Sequence, residues 1–320
     1  MAQHFLLSAA ARTLKLRDIY RMSDDQAFEA FKAIRFSETG GDAFCPACGC
    51  LEPYWLSTRR KWKCRACHKQ FSVTSGTIFA SRKLALVDIL AAIALFVNAA
   101  KGISALQLSR DLGVQHKTAF VLAHKLREAM ASGNEAVMLK GVVEVDGAYF
   151  GGHVRPENRK EDRKDRRRAE NRDPARRVVI AIRERGGRVL PFVTKSESEG
   201  VGIVKWRVAP MSVVHADEAG HWDILHGFYE TRRINHQEAY SDGDACTNQA
   251  ESYFSRLRRM VQGQHHHVSP QYLHQYANEA AWREDHRRGD NGALFKLTAG
   301  AALHSPVSRQ WKGYGQRKAA

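Results

Sequence analysis

No stretch of this chain is both long enough and apolar enough to cross a bilayer comfortably. The longest apolar run, LALVDILAAIALFVNAA, has 17 residues and carries Asp88 inside it, whereas a spanning helix needs about 20 apolar residues. The amino terminus, MAQHFLLSAAARTLKLRD, lacks a basic residue ahead of its short apolar run, which argues against a secretory signal. There are six cysteines, four of them in two C-x-x-C pairs, a pattern that suits metal thiolates in a reducing cytosol better than a disulfide framework. With 24 glycines and 8 prolines, the chain is neither collagen-like nor low in complexity. Acids are scarce: 34 Asp and Glu against 50 Lys and Arg leave a net charge of +16. A surplus of that size points to a polyanionic partner, with nucleic acid first. At 320 residues there is room for two or three domains and at least one substantial core.

Residues 24–36, DDQAFEAFKAIRF, put Phe28, Phe31 and Ile34 at helical spacing after an acidic start. The pair Cys45 and Cys48 is then separated from the pair Cys64 and Cys67 by 15 intervening residues, the spacing of a four-cysteine zinc ribbon. Each C-x-x-C knuckle aims two thiolates at one ion, and the intervening segment forms a small hairpin. Its tip carries Arg59, Arg60, Lys61, Trp62, Lys63 and Arg65, of which Arg60, Lys61 and Lys63 are candidate DNA contacts. The zinc is structural and folds the surface that binds. His68 is read as solvated, and Cys50 and Cys246 are left over.

From Lys83 to Met130 the periodicity is helical. KGISALQLSRDLGVQHKTAFVLAHKLREAM reads as helix, turn at Gly113, helix. In this helix-turn-helix outline, the second helix enters the major groove. Leu106 and Leu108 are expected inside, and Gln115, Lys117, Lys125 and Arg127 are expected on DNA. At Gly141 the pattern turns to strands: GVVEVDGAYFGG, a hairpin around Gly186 and Gly187, and MSVVHADEAG. Helices near 198–208 and 222–226 interleave. The stretch 153–177 holds 11 basic and 6 acidic residues with almost nothing apolar, which predicts a charged loop. The order predicts a mixed α/β domain around one sheet.

Two acids are expected at strand ends, Asp146 and Asp217, and a third, Glu251, on a late helix. Carboxylates placed so can converge beyond the strand ends of an α/β sheet, and their oxygens suit Mg²⁺ or Mn²⁺ rather than zinc. Two such ions held about 3.5–4 Å apart perform phosphodiester cleavage and transfer. Glu144, on the same strand face as Asp146, and Glu218, beside Asp217, are the rivals. Asn248 and Glu251 also fit a capping box, Asn at the N-cap and Glu at N3, although a polar row of Asn248, Glu251, Ser255 and Arg258 runs on along the helix beside the apolar stripe Ala250, Phe254, Leu257 and Val261. Trp206, Trp222 and Trp282 are expected in the core.

The segments VEVDGAYFGG, VVHADE, INHQEAYSDGDACTNQAESYFSRLRR and GQHHHVSPQYLHQYANEAAWREDHRR resemble, in order, blocks of DDE-type insertion-sequence transposases, in the group with an N-terminal transposase zinc ribbon. The resemblance runs from about Phe28 to Arg288. It implies a ribonuclease H-like catalytic domain that cuts and joins DNA at element ends with divalent metal, in a bacterial cytoplasmic, nucleoid-associated protein. Asp146 matches the first catalytic aspartate and Asp217 the second. Asn248 and Glu251 fall in the third block; Glu251 is taken as the third ligand, with Asn248 kept beside it. The chain departs from the family at Gly147, where a second acid is usual, and at Arg258, where a lysine is favoured.

The expected architecture is therefore multidomain: a helical segment at 1–40, a zinc ribbon at 41–80 held by Cys45, Cys48, Cys64 and Cys67, a helix-turn-helix at 81–135, a ribonuclease H-like domain at 136–290 and a basic tail at 291–320. The expected partners are double-stranded DNA, both terminal inverted repeats and target, and further copies of the chain, at least a dimer on DNA. Arg258 and Arg259 join the candidate DNA contacts. A DNA-binding regulator with an inactive sheet domain and a metal-dependent nuclease are the alternatives.

Overall fold

The computed structural model describes residues 5–151, 159–162, 175–234, 246–308, 310 and 311. Most of the expected charged loop, the residues just ahead of Cys246 and the carboxyl-terminal residues after Trp311 lie outside these. The chain divides into two compact units, Met1–Ser132 with Arg288–Ala320, and Gly133–Arg287.

The first unit opens with helices α1 (Leu16–Tyr20) and α2 (Asp24–Arg35). Ser23 and Gln26 form a capping box at the start of α2, which satisfies two amides that the first turn leaves without partners. Phe28 and Phe31 on α2 are buried. A three-stranded antiparallel ribbon follows, in order β1 (Tyr54–Leu56), β2 (Lys61–Lys63), β3 (Gln70–Phe71). Strand alternation decides its faces: Trp62 is buried, while Lys61 and Lys63 on either side are exposed. Trp62 stacks on Phe28 at 5.7 Å and on Phe71 at 5.6 Å, so the ribbon's small core is mostly aromatic.

Helices α3 (Leu86–Asn98), α4 (Ala105–Asp111) and α5 (His116–Ala131) complete the amino-terminal part. The apolar run that is too short to span a membrane is α3, a core helix with Ile89, Leu90, Ile93 and Phe96 all buried. Gly113 sits at φ +64° between α4 and α5, a left-handed turn that a side chain would strain. Leu108 is buried as expected, but Leu106 is half exposed. The expected tail also needs correction. Residues Asn291–His304 form helix α9, capped by Asp290 and packed on α2, α3 and α5; its Ala- and Leu-rich face has core to cover.

The second unit is a five-stranded sheet in the order β6-β5-β4-β7-β8. Strands β4 (Val142–Phe150), β5 (Arg177–Glu184) and β6 (Val189–Thr194) form an antiparallel meander, while β7 (Val213–Asp217) lies parallel to β4, and β8 (Glu230–Ile234) parallel to β7. Helix α6 (Gly200–Arg207) and a 3-10 turn at Gly220–Gly227 cover one face, burying Val143, Val145, Ile180, Val214 and Trp222. Helices α7 (Asn248–Met260) and α8 (Leu273–Asp285) cover the other, with Ala148, Phe150, Ala181, Phe254 and Leu257 between. This is the mixed, helix-flanked sheet that a ribonuclease H-like domain requires. Trp222 is core, but Trp206 is 62% exposed, because it sits on the solvent side of α6. Among the described residues, no helix is long and apolar enough to cross a membrane.

Candidate active site and zinc centre

Asp146 does not end its strand. Strand β4 continues to Phe150 and stays paired with β5 to that point, whereas its pairing with β7 stops at Val145 opposite Ala216. Beyond that pair, the β7 side of β4 carries no further ladder partner among the described residues. Asp146 on β4 and Asp217, the last residue of β7, flank this edge.

Glu197 joins them. One carboxylate oxygen from each of Asp146, Glu197 and Asp217 lies within 4.8 Å of the other two. Burial pushes the Asp146 carboxyl up to about 7, against the Gly147 N–H that donates to Oδ1 at 2.7 Å, and the charges of Asp217, Glu197 and Glu251 add to the rise. Burial, then Asp217, also raises Glu197. Three acids held this close make a donor set of hard oxygens that a divalent cation satisfies. The residues present therefore fit Mg²⁺ or Mn²⁺.

Of the expected third-block residues, Glu251 is half-buried and near enough for its charge to act on Asp146, but it is not one of the three whose oxygens converge. Asn248 is exposed. The capping-box geometry does not form: Thr247 is the N-cap and makes no side-chain cap bond to the helix, and Asn248 is already the first helical residue. The cap comes instead from the sheet. Glu144, fully buried, accepts the amide N–H groups of Gln249 at 2.8 Å and Ala250 at 3.1 Å. Arg185 donates to the same carboxylate at 3.2 Å and to Cys246 Sγ at 3.0 Å. Glu144 thus ties the helix of Glu251 to the strand of Asp146 and is no rival ligand, while Glu218 is exposed. Cys246, left over in the sequence, lies in this polar contact.

Sequence reasoning missed Glu197. It lies in TKSESEG, in a 3-10 turn Glu197–Glu199 ahead of α6, where an acid reads as ordinary helix-start chemistry. The signal that could have found it is Gly147, a strand glycine beside a catalytic-type aspartate.

The zinc ribbon's sulfurs converge as the spacing predicts. Cys45 and Cys67 Sγ lie 3.6 Å apart, Cys48 and Cys64 Sγ 3.4 Å, and all four fall within 4.8 Å of one another. A tetrahedral zinc with bonds of about 2.3 Å sets sulfurs at roughly this separation. The Cys67 amide, aimed at Cys64 Sγ, draws that thiol down to about 6, toward the thiolate that ligates metal.

The candidate DNA contacts separate by exposure. Lys61 and Lys63 are exposed on β2, and Arg60, in the left-handed region at φ 48°, pairs with Asp25 at 2.9 Å and lies over the Phe28 ring. Gln115 and Lys117 are exposed at the start of α5. Lys125 is half-buried and Arg127 only 2% exposed, its guanidinium over Phe96; Arg127 is a core residue, since it falls on the α5 face turned to α3. Arg258 and Arg259 are exposed on α7.

The helix-flanked mixed sheet with its converging carboxylates and the four-cysteine ribbon are the two parts that a DDE-type transposase with an N-terminal zinc ribbon would need. The family comparison narrows this: residues 138–285 match the ISXO2-like transposase domain, and residues 22–70 match the transposase zinc-ribbon domain. The likeness to DDE-type insertion-sequence transposases with an N-terminal zinc ribbon holds over both. One solved structure similar to the chain is the "Crystal structure of the Mos1 Strand Transfer Complex", at 11% identity over 67% of this chain and 78% of that one, with a TM-score of 0.28, a likeness too slight to add to the fold. No curated protein matches.

Proposed function

We propose that this protein binds the terminal inverted repeats of an insertion sequence and catalyses cleavage and strand transfer of its DNA ends with two divalent ions, Mg²⁺ or Mn²⁺. The observation that carries this reading is the convergence of Asp146 and Asp217 at the open edge of β4, inside a domain that matches the ISXO2-like transposase model. Asp146 and Asp217 hold the ions, with Glu251 as the helix-borne ligand and Asn248 beside it. When bound, such an ion pair activates the attacking oxygen and stabilises the leaving one. Asp146, with its raised affinity for protons, is the group whose deprotonation admits the cations.

The zinc ribbon, through Arg60, Lys61 and Lys63, and the exposed start of α5, through Gln115 and Lys117, recognise the repeats. The N-terminal residues of a recognition helix are those that reach base edges. Arg258 and Arg259 lie on the helix of Glu251, where they meet the phosphates of the bound strand. An element has two ends, so the working form on DNA is at least a dimer. The site of action is the bacterial nucleoid.

The test uses end-containing DNA, Mg²⁺ and the full-length protein with Asp146→Asn and Glu251→Gln. Strand transfer by the wild type that both substitutions abolish is the expected result. Cleavage without joining would favour a nuclease, and binding without any cleavage by wild type would leave a DNA-binding regulator.

A further inference from the structure

Resting on that reading, we propose that Glu197 is a further metal-ligating carboxylate of this site, reaching Asp146 and Asp217 from the other face of the sheet through the space that Gly147 leaves open. Along β4, Val143 and Val145 point to the α6 face, while Glu144, Ala148 and Phe150 point to the α7 face, as strand alternation requires. Asp146 therefore belongs to the α7 face and residue 147 to the α6 face. Glu197 stands in the turn ahead of α6. To meet Asp146, its side chain must pass across the backbone at position 147. There it does pass: a Cβ built on Gly147 would lie 2.2 Å from Glu197 Oε1, 2.7 Å from Cδ and 2.8 Å from Cγ.

No other need for this glycine is visible. Gly147 has no positive φ, so its backbone suits any residue, and a glycine inside a strand costs about 0.5–1 kcal/mol relative to alanine. Such a glycine marks a close approach. The rival account of Glu197 is an acid placed in a first turn for the helix dipole. Its neighbour Glu199 already has that role: exposed, it accepts the Ser196 amide at 3.0 Å and the Lys195 amide at 3.2 Å. An acid serving only the dipole has no reason to leave solvent and face two other carboxylates. Glu197 does so where β4 has lost its β7 ladder partner, which leaves room for a side chain to cross from face to face.

The experiment titrates Mn²⁺ into the full-length, zinc-loaded protein at pH 8, following free Mn²⁺ by its paramagnetic resonance and the fold by thermal melting. Glu197→Gln is expected to weaken Mn²⁺ binding roughly 10- to 100-fold. Gly147→Ala should weaken it comparably without lowering the melting temperature, since only the end of a flexible side chain must move. Decisively, Gly147→Ala should add no further loss in the Glu197→Gln background, because the two changes remove the same contact. Wild-type affinity in Glu197→Gln, with binding lost in Asp146→Asn, would overturn the role of Glu197 and leave the site standing. Additive losses from Gly147→Ala and Glu197→Gln would overturn the crossing at Gly147. Wild-type affinity in Asp146→Asn would remove the metal site itself, and Glu197 with it.

Discussion

The two metal centres are built in opposite ways. The zinc ribbon draws all its ligands from residues 45–67, in turns beside three strands of three, three and two residues, and its core is little more than Trp62, Phe28 and Phe71. The carboxylate site draws on residues 146, 197, 217 and the helix of 251, held by a sheet with an apolar layer on each face. In the first the metal holds the fold, and in the second the fold holds the metal. The sharpest way to break this contrast is to remove zinc. Structural zinc contributes about 10–16 kcal/mol of apparent folding free energy, so Cys48→Ser or a chelator should unfold the ribbon. Zinc content and proteolytic cleavage within residues 41–80 report the loss, and the melting of the sheet unit should not move. A ribbon that stays protease-resistant without zinc would place both centres in the same class.

The sheet site has its own keystone, and it is not a ligand. Glu144 is fully buried between Arg185 and the first amides of α7. Glu144→Ala leaves two helix-start N–H groups without this acceptor and takes one of several partners from the Arg185 guanidinium, which still meets Cys246 Sγ; buried donors stripped of an acceptor cost about 1–3 kcal/mol each. The midpoint of urea unfolding for the sheet unit should fall accordingly. Glu144→Gln, which keeps one acceptor oxygen, should lose less. An unchanged midpoint in the alanine variant would show that α7, and Glu251 with it, is docked by its apolar face alone.

This difference in construction also sets what the sequence reveals. The four cysteines are legible because their spacing is itself the geometry: two tight knuckles and a hairpin bring the sulfurs together whatever the rest of the chain does. Asp146 and Asp217 are half legible, as acids next to apolar strand runs. Their convergence depends on β7 lying parallel to β4, which a long intervening segment decides. Glu197 is invisible, since its part depends on an absent side chain 50 positions earlier, at Gly147. Asn248–Glu251 carries a double signal for a related reason. The local pattern matches a capping box, but a carboxylate from a distant strand outcompetes Asn248 for the helix amides. Residues 291–304 stand ahead of a basic end, but Ala299, Ala302 and Leu303 among them fill a core.

The electrostatic side of the contrast is open to titration. Asp146 has its carboxyl raised to about 7 by burial and by its acidic neighbours, above the ordinary value near 4 of the unfolded chain. The folded state therefore binds the extra proton between pH 4 and 7, and stability must fall as pH rises through that window. Without divalent cations, Asp146→Asn should be more stable than wild type at pH 8 by roughly 1–3 kcal/mol, and the gap should close toward pH 4. Melting temperatures of the two proteins across this range test it. Asp285, also raised to about 7, contributes the same trend to both and cancels. Added Mg²⁺ should reverse the order at pH 8, because only wild type keeps the full donor set.

The smallest effect concerns what charge is for. Lys117 and Arg127 stand on one helix, α5, the first exposed at its start and the second packed over Phe96. If the start of α5 meets DNA, Lys117→Ala should change thermal stability by no more than about 0.5 kcal/mol. Its signature is kinetic and ionic instead: each lost phosphate contact removes about 0.9 from the slope of log affinity against log salt. Arg127→Ala should do the reverse, lowering the melting temperature by the loss of a buried side chain while leaving the salt slope of the surviving folded protein as it was. Measuring both slopes on end-containing DNA at three or more salt concentrations separates a charge that binds from a charge that packs. Equal slopes in Lys117→Ala and wild type would move the DNA off α5 and leave the ribbon's Lys61 and Lys63 as the contacts to test.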